Sequence, residues 1–247
     1  MAKLMLIDMS KCIGCKACQI ACQQWHQLPA EDTSFTGSYQ NPPDVSSGNL
    51  SVTKFYEVGN NGDLRWLFFV DRCRHCEVAE CADACPRDAI SVKANGIVVI
   101  TKRCNPDKCS PYDLKPCQQA CPFKTGPGFY GEPGMPRYKL NDGSRLANGD
   151  ANKCDFCYDR WGSAALKSLN GVFAKSNRPA CELVCPTGAI STMRGKRRKL
   201  NAKAEERAEY LKANGYPNAR IYPKGYATHV KWVLLEEAAA YGLHTIE

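Results

Sequence analysis

Sixteen cysteines are the residues of this sequence best suited to chemistry, because thiolates bind metals and thiols form disulfides. They fall into four groups of four, with none left over. Groups I to IV are, in order, Cys12, Cys15, Cys18 and Cys22; Cys73, Cys76, Cys81 and Cys85; Cys104, Cys109, Cys117 and Cys121; and Cys154, Cys157, Cys181 and Cys185. Such a density of cysteine predicts disulfides, zinc sites or iron–sulfur clusters.

The spacing within the groups favours iron–sulfur clusters of the [4Fe–4S] type. Group I has the spacing C-x2-C-x2-C-x3-C of bacterial ferredoxins, and every group ends in C-x3-C. Three closely spaced thiolates can wrap one cluster, whereas the x3 step carries the last cysteine about one helical turn further, facing a neighbouring cluster. Proline follows that cysteine in groups II, III and IV, as expected where a helical turn ends.

Zinc and disulfides are the alternatives. Structural zinc uses two short cysteine pairs per site and does not need the C-x3-C-Pro ending, so zinc is retained only at a single site. Disulfides require an exported chain, whereas residues 1–8 lack the apolar stretch of a signal peptide. No segment approaches the roughly 20 apolar residues of a membrane span. We therefore expect a soluble protein without a transmembrane segment.

The lengths of the gaps between groups predict how the groups pair. Groups II and III are separated by 18 residues, whereas 50 separate I from II and 32 separate III from IV. The short gap favours II and III as one two-cluster module, inserted between I and IV. With swapped last ligands, the predicted ligand sets 1 to 4 are, in order, Cys12, Cys15, Cys18 and Cys185; Cys22, Cys154, Cys157 and Cys181; Cys73, Cys76, Cys81 and Cys121; and Cys85, Cys104, Cys109 and Cys117.

The predicted fold class is α+β, with two nested bacterial-ferredoxin-like modules, long loops and a C-terminal helical extension. An internal repeat supports it, because residues 85–92 and 185–192 both combine the last cysteine, a turn and a short strand. We predict module I/IV over 1–72 and 123–200, the inserted module II/III over 73–122, and the extension over 201–247.

Local patterns predict the elements that position the cysteines. Strands are expected at 4–8 and 229–235, helices at 17–25, 201–214 and shortly after 235, hairpins at 51–58 with 64–70 and at 91–92 with 97–100, and a Gly/Pro-rich loop at 126–136. Trp25 is expected to pack behind a cluster. His75 could donate a hydrogen bond to a cluster, but a surface position is the commoner case.

The formal charge of +8 could indicate a nucleic-acid or lipid partner. However, a [4Fe–4S] core in the 2+ state with four thiolates carries about −2, and four of these bring the loaded protein near neutrality. No nucleic-acid-binding motif accompanies the charge, so no such partner is expected.

The sequence also lacks a Gly-rich dinucleotide loop, a nucleophile–base arrangement and a spare cysteine. We therefore expect electron transfer without catalytic residues.

Several motifs add a family resemblance. Residues 8–22 resemble the first motif of the iron–sulfur beta subunits of molybdenum- or tungsten-dependent oxidoreductases. Residues 24–31 and 37–44 narrow the resemblance to formate dehydrogenase beta subunits, and residues 67–76, 153–160 and 179–188 fit as well. The resemblance covers most of the chain.

This resemblance implies a large catalytic subunit that holds a pterin cofactor with Mo or W and interconverts formate and CO2. The present chain would relay electrons between it and a downstream donor or acceptor protein. By similarity, set 1 would face the catalytic subunit and set 4 would lie at the far end. Group III departs from the family pattern in its x4 and x7 spacers, so a three-iron or labile cluster is the alternative at set 4.

Two other functions stay open at this point. The chain could serve another molybdopterin oxidoreductase as its electron-transfer subunit, or it could be a free polyferredoxin. The expected location is the cytoplasm, or the periplasm if the chain is exported together with a signal-bearing catalytic subunit.

Overall fold

A computed structural model gives the fold of residues 1–28, 30, 32–35, 37–46, 48–59, 62, 64–105, 108–109, 115–123, 152–161 and 177–243. The strands are β1 (Ala2–Asp8), β2 (Ser51–Val58), β3 (Arg65–Arg72), β4 (Ile90–Val92), β5 (Val98–Ile100), β6 (Ile190–Gly195), β7 (Arg220–Tyr222) and β8 (Val230–Leu234). The α-helices are α1 (Ala17–Trp25), α2 (Glu80–Asp83), α3 (Pro116–Gln119), α4 (Ala180–Leu183) and α5 (Arg197–Ala213). The predicted loop at 126–136 lies outside the described residues.

Three short 3-10 helices complete the described elements, at Met9–Lys11, Tyr158–Trp161 and Ala238–Tyr241. The mixed helix and strand content agrees with the predicted α+β class. The two hairpins, α1 and the late strand are confirmed within one or two residues of their predicted bounds. Within the described residues, no helix has both the length and the apolar character that crossing a bilayer requires.

The main sheet has four strands in the order β6-β1-β8-β7. β1 pairs antiparallel with β6, from Ala2 opposite Gly195 to Ile7 opposite Ile190, and parallel with β8. β8 is buried along its whole length, as expected of a central strand covered on both faces. The segment predicted as a C-terminal extension thus supplies α5 and two of the four strands.

Helix α5 covers one face of this sheet. Its buried residues follow a helical period and pack against Leu4, Leu6 and Val233; they are Leu200, Ala204, Ala208 and Leu211. The small alanines bring the helix close to the sheet. The helix begins four residues earlier than predicted, because Arg197, Arg198 and Lys199 form its first turn.

The opposite face of the sheet packs on the β2–β3 hairpin. Met5 and Ile7 alternate with Leu4 and Leu6 along β1 and contribute to a second core with Phe69 of β3 and Trp232 of β8. The Phe69 and Trp232 rings are stacked, with their centroids 5.3 Å apart. A separate small core joins α2, β4, β5 and α3. α1 meanwhile packs against α4.

Truncation of a side chain that is buried between α5 and the main sheet should destabilise the fold. We expect Leu200→Ala to lower the free energy of unfolding by about 2–5 kcal/mol, because Leu200 is fully buried and its loss leaves a cavity between α5 and the sheet. Leu64→Ala is the matched control, because Leu64 is 57 % exposed and its truncation should change stability by about 0.5 kcal/mol or less. Thermal unfolding, followed anaerobically by circular dichroism at one scan rate, measures the stability of both variants. An equal loss of stability in the two would contradict this packing.

Candidate iron–sulfur cluster sites

All 16 cysteines lie in the described part of the chain, and no disulfide joins any of them. The disulfide alternative therefore has no support in the structure. Their positions along the elements follow the C-x3-C endings. Cys18 and Cys22 lie one turn apart on α1, and Cys181 lies on α4 with Cys185 just beyond its end.

The cysteines of set 1 surround one cavity. Cys12 and Cys15 line it from the loop that leads into α1, Cys18 from the first turn of α1, and Cys185 from the loop after α4. The cavity encloses about 330 Å³. Cys22, the last cysteine of group I, does not line this cavity. The structure thus brings together three cysteines of group I and one of group IV.

Two further cavities gather the cysteines of groups II and III. Those of set 3, Cys73, Cys76, Cys81 and Cys121, line a cavity of about 400 Å³. Those of set 4, Cys85, Cys104, Cys109 and Cys117, line one of about 340 Å³. At each cavity, three of the lining cysteines belong to one group and the fourth belongs to the other. The set 4 cavity matches the set 1 cavity in size despite the longer spacers of group III.

The cysteines of set 2 lie deepest in the protein. All four are buried, and Cys22 packs with Cys154 beside Leu50. Burial raises the pKa of Cys181, and the negative charge of Cys22 raises it further. Burial also raises the pKa of Cys157, to about 12, with a further contribution from Cys181. Cysteines from groups I and IV therefore share one electrostatic environment.

The spacing of the cysteine sulfurs within each set bears on the zinc alternative. A tetrahedral zinc with bonds of about 2.3 Å holds its sulfurs about 3.8 Å apart. Among the described residues, the group of three potential ligand atoms that lie within 4.8 Å of one another is His26, Asp155 and Cys157, so no three cysteine sulfurs are so close. The cysteine sulfurs are thus more widely spaced than in a zinc site, which favours a larger inorganic core between them.

The surroundings of most of these cysteines disfavour free thiolates. Burial and the neighbouring Cys73 raise the pKa of Cys81 to about 12, and burial raises that of Cys18 to about 12 despite the opposing effect of Arg72. Such thiols stay protonated at neutral pH unless a metal replaces their protons. Cys185 differs, because N–H groups of Ile190 and its neighbours outweigh burial and lower its pKa. N–H donors of this kind favour the thiolate form.

Backbone geometry shapes the first cysteine loop. Gly14 has φ +66°, and a Cβ there would lie 2.7 Å from Phe68 and 2.9 Å from Phe55. Only glycine therefore lets the loop between Cys12 and Cys15 approach the aromatic face of the β2–β3 hairpin. The hairpin supports this loop from outside the cysteine motif.

His75 is a correction to the sequence analysis. The predicted surface position is wrong, because His75 is fully buried between the set 3 cysteines and β5. Its Nδ1 accepts a hydrogen bond from the Val98 N–H at 3.1 Å, and its own backbone N–H donates to Cys73 Sγ at 3.4 Å. Trp25 packs in a small core with Cys157, and the guanidinium of Arg160 lies 4.0 Å from its ring centroid.

A buried charge network supports the hairpin beside group II. Lys54 Nζ lies 3.1 Å from carboxylate oxygens of both Asp44 and Asp71, and Arg74 also pairs with Asp71. Burial alone would raise the pKa of Asp71, but Arg74 and Lys54 lower it to about 2. The network was missed in the sequence analysis because its members are separated by up to 30 residues.

Removal of the central cation of this network should be costly. We expect Lys54→Met to destabilise the protein by about 3–5 kcal/mol, because it leaves two buried carboxylates with too little positive charge. Lys212→Met removes a lysine from an exposed pair with Glu209 and should cost at most about 1 kcal/mol. Thermal unfolding of both variants measures the difference, and a Lys54→Met protein as stable as the control would contradict the account.

Comparisons with known proteins agree with the geometry. The 4Fe-4S dicluster domain family matches residues 64–127, a span that contains all of groups II and III. The 4Fe-4S binding domain family matches residues 5–24, which contain group I. Together these matches show that the chain carries [4Fe–4S] domains.

Most of the sequence is also similar to subunits of known oxidoreductases. It is 38 % identical over 232 residues to the iron–sulfur subunit of the nitrate-inducible formate dehydrogenase of Escherichia coli (strain K12), covering 93 % of this chain and 67 % of that one. It is 35 % identical over 226 residues to the beta subunit of formate dehydrogenase 2 (cytochrome c-553) of Nitratidesulfovibrio vulgaris, covering 90 % and 88 %. One subunit of the anaerobic dimethyl sulfoxide reductase of Escherichia coli is 29 % identical, covering 90 % and 92 %. The chain therefore belongs to the family of formate dehydrogenase iron–sulfur subunits.

Proposed function

We propose that this chain holds four [4Fe–4S] clusters and relays electrons between a large Mo- or W-pterin catalytic subunit, where formate and CO2 are interconverted, and a downstream redox protein. The observation that supports the proposal is that twelve cysteines line three cavities, three from one sequence group and one from another at each, while the remaining four are all buried. When bound, each cluster supplies a one-electron redox couple.

The residues of this chain supply the ligands and their surroundings. Sets 1 to 4 hold one cluster each through four thiolates. Backbone N–H groups donate to the thiolates, as Ala89 does to Cys85 Sγ at 3.3 Å. Such donors stabilise the negative sulfurs and tune the reduction potential. Four cysteines line the set 4 cavity, as at set 1, which supports a complete cluster at set 4.

We propose that the four sets form two nested modules. Module I/IV comprises 1–72 and 123–200, and the pairing of β1 with β6 and the packing of α1 on α4 support it. Module II/III comprises 73–122, and its support is the small core that contains Ala79, Ile90 and Val98. Residues 201–247 form the C-terminal extension, which completes the sheet of module I/IV.

We propose that the catalytic subunit docks beside set 1. Cys15 is exposed there, and Ile13 next to it is 59 % exposed. Tyr39 and Trp66 add exposed aromatic surface, with their ring centroids 5.0 Å apart. Exposed apolar and aromatic side chains at one place are typical of the core of a permanent interface.

The alternative catalytic partner is that of another molybdopterin oxidoreductase. The similarity to the dimethyl sulfoxide reductase subunit supports this alternative, although the identity is lower. The compartment follows the partner: the cytoplasm, or the periplasm if both subunits are exported together.

The function is tested by reduction with substrate. We expect a tagged chain, purified anaerobically from its host, to bring down a Mo- or W-containing subunit, and formate to bleach its visible absorbance within the complex. Dimethyl sulfoxide added to the dithionite-reduced complex serves as the comparison and should not reoxidise it. A chain that purifies alone, or that formate leaves oxidised while dithionite reduces it, would refute the role in formate oxidation.

Ligand swapping is tested by paired variants. Cys12→Ala with Cys185→Ala changes two groups but one proposed set, so we expect the loss of about four iron atoms per chain. Cys12→Ala with Cys22→Ala changes one group but two proposed sets, so about eight should be lost. Iron is measured in the purified complex relative to the unmodified chain. The reverse result, with the larger loss in the first pair, would show that each group binds its own cluster.

A further inference from the structure

Each cysteine group is preceded by one basic residue, and two of these four residues are buried. Lys11 and Arg103 precede groups I and III and are exposed, whereas Arg72 and Lys153 precede groups II and IV and are only 1 % and 4 % exposed. Burial of a cation is unfavourable unless negative charge lies close to it. The two buried cations therefore need a source of negative charge.

Arg72 is held by sulfur and hydroxyl groups. Its Nη1 donates to Cys181 Sγ at 3.0 Å and to Met5 Sδ at 3.3 Å, and its Nη2 donates to Ser51 Oγ at 2.8 Å. Its Nε is buried and, among the described residues, has no hydrogen-bond acceptor. An unsatisfied buried donor is costly, and the sulfur of a bound cluster is an acceptor of the required kind.

Lys153 is held by carbonyl groups. Its Nζ donates to the carbonyl oxygens of Val98 at 2.5 Å and Cys154 at 2.9 Å. Lys153 also lines the cavity of set 3, together with Cys73 and Cys81. Within the described residues, neither Lys153 nor Arg72 forms an ion pair with a carboxylate, in contrast to Lys54 and its two aspartates.

The charges around each cation come from two ligand sets. Burial lowers the pKa of Arg72, but cysteines of set 2 (Cys181, Cys154 and Cys22) and of set 1 (Cys18) outweigh it and raise the pKa well above its usual value. Burial likewise lowers the pKa of Lys153, but cysteines of set 3 (Cys73 and Cys81) and of set 2 (Cys154), with Asp155, raise it. The contacts agree: Arg72 donates to Cys181 of set 2 in the core that also contains Cys18 of set 1. Lys153 lines the set 3 cavity and donates to the carbonyl of Cys154, a set 2 residue. Arg72 therefore lies at the junction of sets 1 and 2, and Lys153 at that of sets 2 and 3.

We propose that Arg72 and Lys153 are positioning residues for electron transfer: each holds a fixed positive charge between two clusters and raises the reduction potential of both. The proposal rests on the four-cluster relay. An electron added to a cluster makes it more negative, and a nearby buried cation favours that state because little water screens the interaction. The same charge offsets the repulsion between two neighbouring clusters that are reduced together. Set 2 adjoins both cations.

The exposed cations should act much more weakly. Arg87 lines the set 4 cavity, but it is exposed, as is Arg103 before group III. Solvent and salt screen charges in such positions. Arg72 and Lys153 adjoin sets 1 to 3 rather than set 4, so the potential of set 4 should be insensitive to both. Lys11 and Arg103 provide controls at the same sequence position relative to a cysteine group.

The test is an EPR-monitored redox titration of the intact complex at constant pH. In Arg72→Gln, which keeps a polar side chain but loses the charge, we expect two of the four midpoint potentials to fall. The fall should correspond to about a tenfold change in the ratio of reduced to oxidised cluster, or ~59 mV for one electron. Lys153→Gln should also lower two, and one cluster should be affected by both. Arg72→Lys keeps the charge, so its midpoint potentials should stay close to those of the unmodified chain. In Lys11→Gln and Arg103→Gln, every midpoint potential should shift by much less than ~59 mV.

The midpoint potentials and the iron content of the variants decide whether the buried cations have this role. Unchanged potentials in Arg72→Gln and Lys153→Gln, with full iron content, would refute the role of the buried cations and leave the relay itself intact. A shift equally large in Lys11→Gln would refute the importance of burial. If Arg72→Gln fails to retain iron while Arg72→Lys retains it, a charge at this position is required and the proposal is supported. Loss of iron in both variants would assign Arg72 a packing role instead. An unmodified chain with fewer than four clusters would refute the proposed relay rather than this inference.

Discussion

The rest of this structure depends on the burial of negative charge by cysteine thiolates. A [4Fe–4S] core with four thiolates carries about −2 in its oxidised state, and the sulfurs of set 2 are all buried. A charge placed away from water is strongly unfavourable unless donors and cations surround it. The N–H groups at Cys185 and the guanidinium of Arg72 are such partners. With the four proposed clusters, the excess of basic residues in the sequence has the same explanation, since it brings the loaded chain near neutrality.

The second constraint is that, with the proposed ligand sets, each cluster joins distant parts of the chain. A set that combines Cys12 with Cys185 requires the first and last cysteine groups to meet, and the pairing of β1 with β6 brings them together. β8 then pairs with the other side of β1, so residues near the C-terminus stabilise the strand that leads into the first cysteine loop. Helix α5 covers the same sheet. The sheet is therefore a scaffold whose purpose is to fix the loops at its ends.

The helical turn at each C-x3-C step could be predicted from the sequence because ligand spacing reflects local geometry, whereas the ligand sets themselves stay a prediction. Helix α1 and the hairpins were predictable for a similar reason, since their signals are local. The start of α5 was not, because lysines and arginines are disfavoured in the first turn of a helix. The burial of His75 and Arg72 depends on strands that arrive from far along the chain. The cation before each group is visible in the sequence, but only the structure distinguishes the two that are buried from the two that are exposed.

The measurement that tests the central claim most directly is the amount of iron, acid-labile sulfide and zinc per chain in the anaerobically purified complex. The account predicts about 16 iron atoms and about 16 sulfides per chain, with no stoichiometric zinc, since every cysteine set holds one cube. About 12 of each would show that one set, with set 4 the first to examine, does not hold a cluster. Zinc in place of iron would contradict the electron relay altogether.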